Sequence, residues 1–233
     1  EGREGALGPQ HAASLESLAA LAELLQGMRK HERAEPLLRR VLESRERLLG
    51  PLHASTLAAL ARLAELLRGL GKYEEAEPVH WAVLEGRDAA LGPQHPDTLE
   101  SAEGLAGLLE EIEKPREAES MYRRALLGNQ AVLGATHPRT LACLHGFGLL
   151  LQSMGKLDEA RRLLKRAVEG RTSTLGPSHP LTASSLSRLA CLTRVAGSRE
   201  EAEPLQRQAL EQRAAKFGPA HPATLVSLSA QAT

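Results

Sequence analysis

The chain has 233 residues, and its 29 Lys+Arg balance 29 Asp+Glu, so the formal net charge is zero. That balance argues against a nucleic-acid partner, which calls for a basic excess to displace counterions from phosphates. One Trp, two Tyr and two Phe leave little for base stacking either. No apolar run is long enough to cross a bilayer. The two cysteines, Cys143 and Cys191, make neither a disulfide framework nor a zinc-ligand spacing. They are compatible with a reducing compartment such as the cytoplasm, but nothing in the sequence fixes the compartment or excludes organelle targeting.

From the N-terminus, Glu1-Gly-Arg-Glu-Gly-Ala-Leu-Gly parallels Glu43-Ser-Arg-Glu-Arg-Leu-Leu-Gly. Residues 1–6 are therefore expected to be the end of a preceding helix, and the chain to be part of a longer protein. Leu7 opens a motif, Leu-Gly-Pro-x-His, that returns at Leu49, Leu91, Leu133 and Leu175, each 42 residues after the last, with Ala135 in place of the proline in one copy and Phe217 in the sixth place. A fixed period of this length is the mark of stacked units that cannot bury their apolar faces alone. The predicted repeats are 7–48, 49–90, 91–132, 133–174 and 175–216, with 217–233 the start of a sixth. Together they make one solenoid over 1–233.

Within the second repeat, Leu57, Leu60, Leu63, Ala64, Leu67 and Leu70 recur at spacings of three and four, one apolar stripe on a helix. Gly69-Leu-Gly71-Lys72 breaks it, and a second stripe runs through Ala76, Val79, Val83 and Leu84. Leu91-Gly92-Pro93 ends that helix, and His95-Pro96-Asp97-Thr98 opens the next with proline at the first helical position. Every repeat is thus an antiparallel helix pair, and the chain is all-α. Ala34, Ala76, Ala118, Ala160 and Ala202 share one place in the second helix; Ala22, Ala64, Ala106, Gly148 and Ala190 share one in the first. Small residues there are expected where helices approach closely. Pro36, Pro78 and Pro204 are expected near the first turn of the second helix, bending it slightly.

Leu-Ala in the first helix (Leu21-Ala22, Leu63-Ala64, Leu105-Ala106, Leu189-Ala190), Gly71-Lys72-Tyr73 at the turn and the second-helix alanine resemble the tetratricopeptide repeat. That repeat ordinarily has about 34 residues. The longer period, with Gly71 to Pro78 and the Leu-Gly-Pro-x-His-Pro-x-Thr-Leu of Leu91 to Leu99, is similar to the kinesin-light-chain variety. The resemblance implies a right-handed superhelical solenoid whose first helices line a concave groove that holds protein segments and does no chemistry. The groove residues it implies are Glu23, Arg62, Glu65, Arg68, Glu100, Glu103, Glu110, His145, Gln152, Arg188 and Arg194. Kinesin light chains carry paired asparagines in the first helix that clamp peptide backbone. Here those places read Leu18-Ala-Ala-Leu-Ala, Leu60-Ala-Arg-Leu-Ala, Ala102-Glu-Gly-Leu-Ala, Leu144-His-Gly-Phe-Gly and Leu186-Ser-Arg-Leu-Ala, and the single asparagine is Asn129.

The charged residues set a further expectation. Glu100, Glu103, Glu110, Glu111 and Glu113 make an acidic middle between Arg62 and Arg68 on one side and Arg188 and Arg194 on the other. Such a face suits a partner segment of complementary charge; a plain solvated face is the alternative.

His11, His53, His95, His137, His179 and His221 belong to the repeat and read as structural residues at helix starts rather than metal ligands. Adjacent repeats stand about a helix diameter apart, roughly 8–10 Å, whereas ligands of one zinc lie about 2 Å from it. Cys143 and His145, two apart on a helix, point to different faces and make a poor nucleophile–base pair. Gly71-Lys72 and Gly155-Lys156 lack the rest of a phosphate loop. Trp81, beside His80, and Tyr122 read as packing residues. No metal or cofactor is expected. The reading is a non-catalytic adaptor that binds another protein; the alternative is a structural subunit built into a larger assembly and touching its neighbours by loops, edges and convex face.

Overall fold

A computed structural model of the protein describes residues 12–195, 197 and 199–217. His11, His221, the expected end of a preceding helix at residues 1–6 and the start of a sixth repeat at 218–233 lie outside the described residues. Ten helices and no strand make up the described chain: α1 (Ala12–Gly27), α2 (His31–Leu49), α3 (Ala54–Gly69), α4 (Tyr73–Leu91), α5 (Pro96–Glu111), α6 (Pro115–Val132), α7 (Pro138–Ser153), α8 (Leu157–Leu175), α9 (Pro180–Val195) and α10 (Arg199–Phe217). Short and longer helices alternate, 16 residues for α3 and 19 for α4. The chain divides into two compact units between Lys114 and Pro115, although the 42-residue register runs through that boundary unbroken.

In the first unit each of α1 to α4 packs on the helix that follows, and α3 also touches α5. Ala22, Ala34, Leu38, Leu63, Leu66, Leu67, Ala76 and Leu108 form the main buried cluster, with Leu25, Leu37, Leu70, Val79 and Ile112 packed against it. In the second unit α6 packs on α7, α7 on α8, α8 on α9 and α9 on α10. Leu144, Leu150, Leu151, Leu164, Leu186 and Leu192 are buried there. Each such side chain contributes about 1.5–3 kcal/mol on leaving water. The small-residue places are the tightest crossings: Ala64, Ala76, Ala106, Ala118, Ala160 and Ala190 are completely buried. A Cβ on Gly148 would stand 2.9 Å from Cγ of Leu164.

The recurring loop motif now has a physical account. His53, His95, His137 and His179 each sit just before a first helix, and Nδ1 accepts the backbone N–H two residues on at 3.1–3.2 Å. The imidazole thus does the work usually given to Ser or Asp at a helix N-cap. Pro96, Pro138 and Pro180 follow at the first helical position, where no N–H is needed. The Oγ1 atoms of Thr98, Thr140 and Thr182 then donate to the carbonyls of Gly92, Gly134 and Gly176, tying each helix back to its loop.

The turn inside each pair demands a left-handed residue, which Gly71 and Gly155 supply with φ of 71° and 75°. Arg29 and Glu113 take the same register place with φ of 56° and 59°, which strains an L side chain. Glu113 is therefore a turn residue first and a member of the acidic run second. The prolines lie early in their helices and do not break them. Pro36, Pro78 and Pro204 stand just past the first turn of α2, α4 and α10, and each helix runs on through them. The carbonyls that lose their usual donor belong to Glu32, Glu74 and Glu200, exposed residues that water can reach.

Candidate functional site

In the first unit, Glu23 of α1, Arg62, Glu65 and Arg68 of α3 and Glu100, Glu103 and Glu110 of α5 come from the faces of three successive first helices. The charges pair across the helices. Arg62 forms an ion pair with Glu23. Arg68 reaches Glu65 at 3.3 Å and Glu111 at 3.1 Å. Arg62 and Arg68 are thus already engaged by carboxylates, where the sequence suggested a basic patch. Two glycines of α5 make this possible. A Cβ on Gly104 would lie 3.0 Å from Oε1 of Glu65, and one on Gly107 would lie 3.3 Å from Nη1 of Arg68. The α3 side chains lie across the gaps these glycines leave.

A cavity of about 450 Å³ opens on this face, lined among others by Ala58, Arg62, Glu65, His80, Arg87, Glu100 and Gly104. Loss of hydration raises the Glu65 carboxyl above its ordinary value; Arg68 opposes that, and Glu111 and Glu100 add to it. Glu110 is raised by burial and by Glu111 beside it. Burial, with the positive charge of Arg68, holds the His80 imidazole down at about 4, against the pull of the Ala64 carbonyl. His80 is neutral at neutral pH.

In the second unit, His145 lies half-buried on α7, its Nδ1 3.1 Å from Oγ of Ser185 on α9. Burial, then Arg171 and Arg188, bring its imidazole down to about 4. Arg188 and Arg194 are exposed on α9, and Gln152 is half-buried on α7 with no partner for its Oε1. Cys143 is fully buried, its Sγ 3.7 Å from the Tyr122 carbonyl oxygen, turned away from solvent. Tyr122 stacks on Phe147 with ring centroids 5.9 Å apart. Both aromatics serve packing. Trp81 is half-buried. Among the described residues no group of three His, Cys, Asp or Glu is placed to hold a metal, and no helix is long and apolar enough to cross a membrane.

Two features escaped the sequence reading. Arg45, Arg87 and Arg171, 42 and 84 residues apart, staple each second helix to the next first helix by donating to the carbonyls of Ser55, Asp97 and Leu181. Arg87 and Arg171 also reach Oγ of Ser101 and Ser185. Asn129 takes the same register place in α6 and is buried with no partner for Oδ1. The other feature is His80. Its register equivalents are Leu38, Tyr122, Leu164 and Gln206, so reading down the repeat would have shown it as one of two aliphatic-to-polar changes at this place.

Helix pairs in fixed register, alanines at the crossings and a polar first-helix face define a helical-repeat scaffold. The family model of the tetratricopeptide repeat matches residues 13–80, 55–126, 117–173 and 147–211, and the chain belongs to that family. Among solved structures it is similar to the kinesin-light-chain TPR-like repeats of Podosopora anserina, at 28% identity over 89% of this chain and 98% of that one, TM-score 0.78. BtubC (BKLC) from P. vanneervenii matches at 24% identity over 90% of this chain and 83% of its own, TM-score 0.79. YrrB, described as a TPR protein with an unusual peptide-binding site, matches at 19% identity over 100% and 96%, TM-score 0.60; these last two share the fold. No curated protein matches the chain. The repeat is a protein-interaction fold whose members are generally non-catalytic scaffolds.

Proposed function

We propose that the chain is a non-catalytic adaptor that holds a segment of a partner protein against its first-helix face. The observation that supports this most directly is the cavity lined by α1, α3, α4 and α5, where Gly104 leaves room for Glu65 among the charged groups of its rim. Asparagines that would grip peptide backbone are missing from the first helices, so recognition falls to the partner's side chains. Alternating paired charges of this kind select a partner by complementarity more than they add affinity.

Cross-linking mass spectrometry on the protein purified from its native source tests the proposal. Links from the partner that converge on α3 and α5, near Arg62 and Glu103, are expected. The double reversal Glu103→Lys with Glu110→Lys should then weaken that partner about tenfold at low salt. Links confined to loops and second helices in fixed stoichiometry, with affinity indifferent to the reversal, would replace the adaptor with a built-in structural subunit.

A further inference from the structure

One place in the second helices holds a carboxylate in every repeat but the fourth. Glu35 of α2, Glu77 of α4, Glu119 of α6 and Glu203 of α10 share it, and α8 carries Arg161 there instead. The first three tie their helix to the turn of the next repeat, through Lys72 at 2.8 Å, Lys114 at 2.5 Å and Lys156 at 2.7 Å. The lysine due in the turn after α9 is Ser198, which lies outside the described residues. Both members of the ion pair have changed at α8. The next place, Pro36, Pro78, Ser120 and Pro204 elsewhere, is Arg162. With Lys165 and Arg166 these residues make a ridge of four cations in six positions.

Arg161 has only distant acidic neighbours, Asp158 at 3.6 Å and Glu201 at 3.9 Å. Arg162, Lys165 and Arg166 are exposed and make no ion pair among the described residues. Arg162 and Arg166 stand one helical turn apart, as do Arg161 and Lys165. Like charges so spaced oppose each other, and an anion lying across them relieves the repulsion.

The ridge separates two cavities. One, of about 350 Å³, is lined by α6, α7 and α8, with Phe147, the exposed Leu127 and the half-buried Leu163 among its apolar groups. The other, of about 650 Å³, is lined by α8, α9 and α10, with Leu189 and the half-buried Val168 and Leu205. Arg162 lines both. Arg123, on the rim of the smaller one, is held by Glu119 at 3.0 Å and lies 5.7 Å over the Phe147 ring. Glu159, Glu169 and Glu201 also lie in the linings and confine the free positive charge to the middle of the face.

We infer that the exposed face of α8 is a second docking surface, which takes an acidic segment of a partner protein. Carboxylates of the segment lie on Arg162 and Arg166, and apolar side chains on either side of them enter the two cavities. Guanidinium and carboxylate match in forked hydrogen bonds. The cavities flank one helix, so they stand about a helix packing distance, roughly 8–10 Å, apart. Three residues of extended chain, at about 3.3 Å each, span that distance. The fitting pattern is apolar-acidic-acidic-apolar. A nucleic acid or an anionic membrane would cover the cations but leave the apolar cavities empty, and the three glutamates in the linings would repel its phosphates.

The test is a ¹H–¹⁵N NMR titration of the whole chain with the peptide acetyl-Gly-Leu-Glu-Glu-Leu-Gly-amide. Comparison peptides carry Gln for both Glu, or Gly for both Leu. The first peptide should shift amides of α6, α8 and α10 saturably and bind at least about fivefold more tightly than either comparison, the margin a charge-assisted hydrogen bond or a buried leucine supplies. Arg162→Glu with Arg166→Glu should remove the margin over the glutamine peptide and leave the circular dichroism spectrum unchanged. Equal binding of the glutamate and glutamine peptides, or shifts confined to other helices, would overturn the inference. If the peptide fails while phosphatidylserine vesicles or a thymidine oligonucleotide bind and the reversal abolishes it, the face belongs to a membrane or a nucleic acid instead. Self-association in sedimentation that the reversal abolishes would give the face to a second copy of this chain. The Glu103 and Glu110 reversals lie on α5 and leave this titration as it is, so the α8 surface and the adaptor reading stand or fall separately.

Discussion

Replacing His80 by leucine, the residue at the same register place in α2 and α8, should remove a definite part of the pH dependence of stability. The folded imidazole titrates at about 4 against an ordinary 6.5. Between those values the unfolded chain takes up a proton that the folded chain refuses, so stability falls as pH drops through the window. At about 1.36 kcal/mol per unit the whole effect is about 3 kcal/mol. About 2 kcal/mol of it is lost between about pH 7 and about pH 5.

The groups facing His80 are Glu65 and Arg68 from α3, Arg87 from its own helix and Glu100 from α5. They are present in both proteins, so the difference between wild type and His80→Leu isolates the imidazole. His145, held at about 4 in the second unit, keeps its own share of the slope in both. Urea unfolding followed by circular dichroism at the two pH values gives the numbers. The variant should also gain about 1–3 kcal/mol near pH 7, since an unsatisfied buried group gives way to one that packs. An unchanged difference in stability between the two pH values would refute the argument, because it would mean that the His80 ring is hydrated in the folded chain.

Two other substitutions probe the repeat itself. His137→Ala should lower stability by about 1 kcal/mol by leaving the Arg139 N–H without its cap, while His137→Ser should retain most of it; thermal unfolding distinguishes the pair. Glu113→Gly should raise stability by about 1 kcal/mol, because glycine takes the left-handed conformation at no steric cost, and a drop in melting temperature would contradict the strain argument.

How far the sequence reached can be followed from residue to residue. The 42-residue register, the all-α helix pairs and the alanine crossings were legible because helix periodicity and close packing are local, repeated demands. Each copy of Leu91 to Leu99 repeats the same answer. The role of the histidines at helix starts was legible in position, though their hydrogen bond to the backbone was not. The charged faces were legible only as lists. Whether Arg62 stands free or pairs with Glu23, and whether Arg68 spans to Glu111, depends on which side chains cross from one helix to the next. That distance is set by how closely the helices pack at residues such as Ala64 and Gly107. His80 shows the same division. Its place in the repeat is written in the chain, but its burial, its unpartnered nitrogen and its approach to Glu65 exist only once α3, α4 and α5 have packed. Local periodicity determines the repeat, and side-chain contacts between helices, about 40 residues apart in a solenoid of this kind, determine the site.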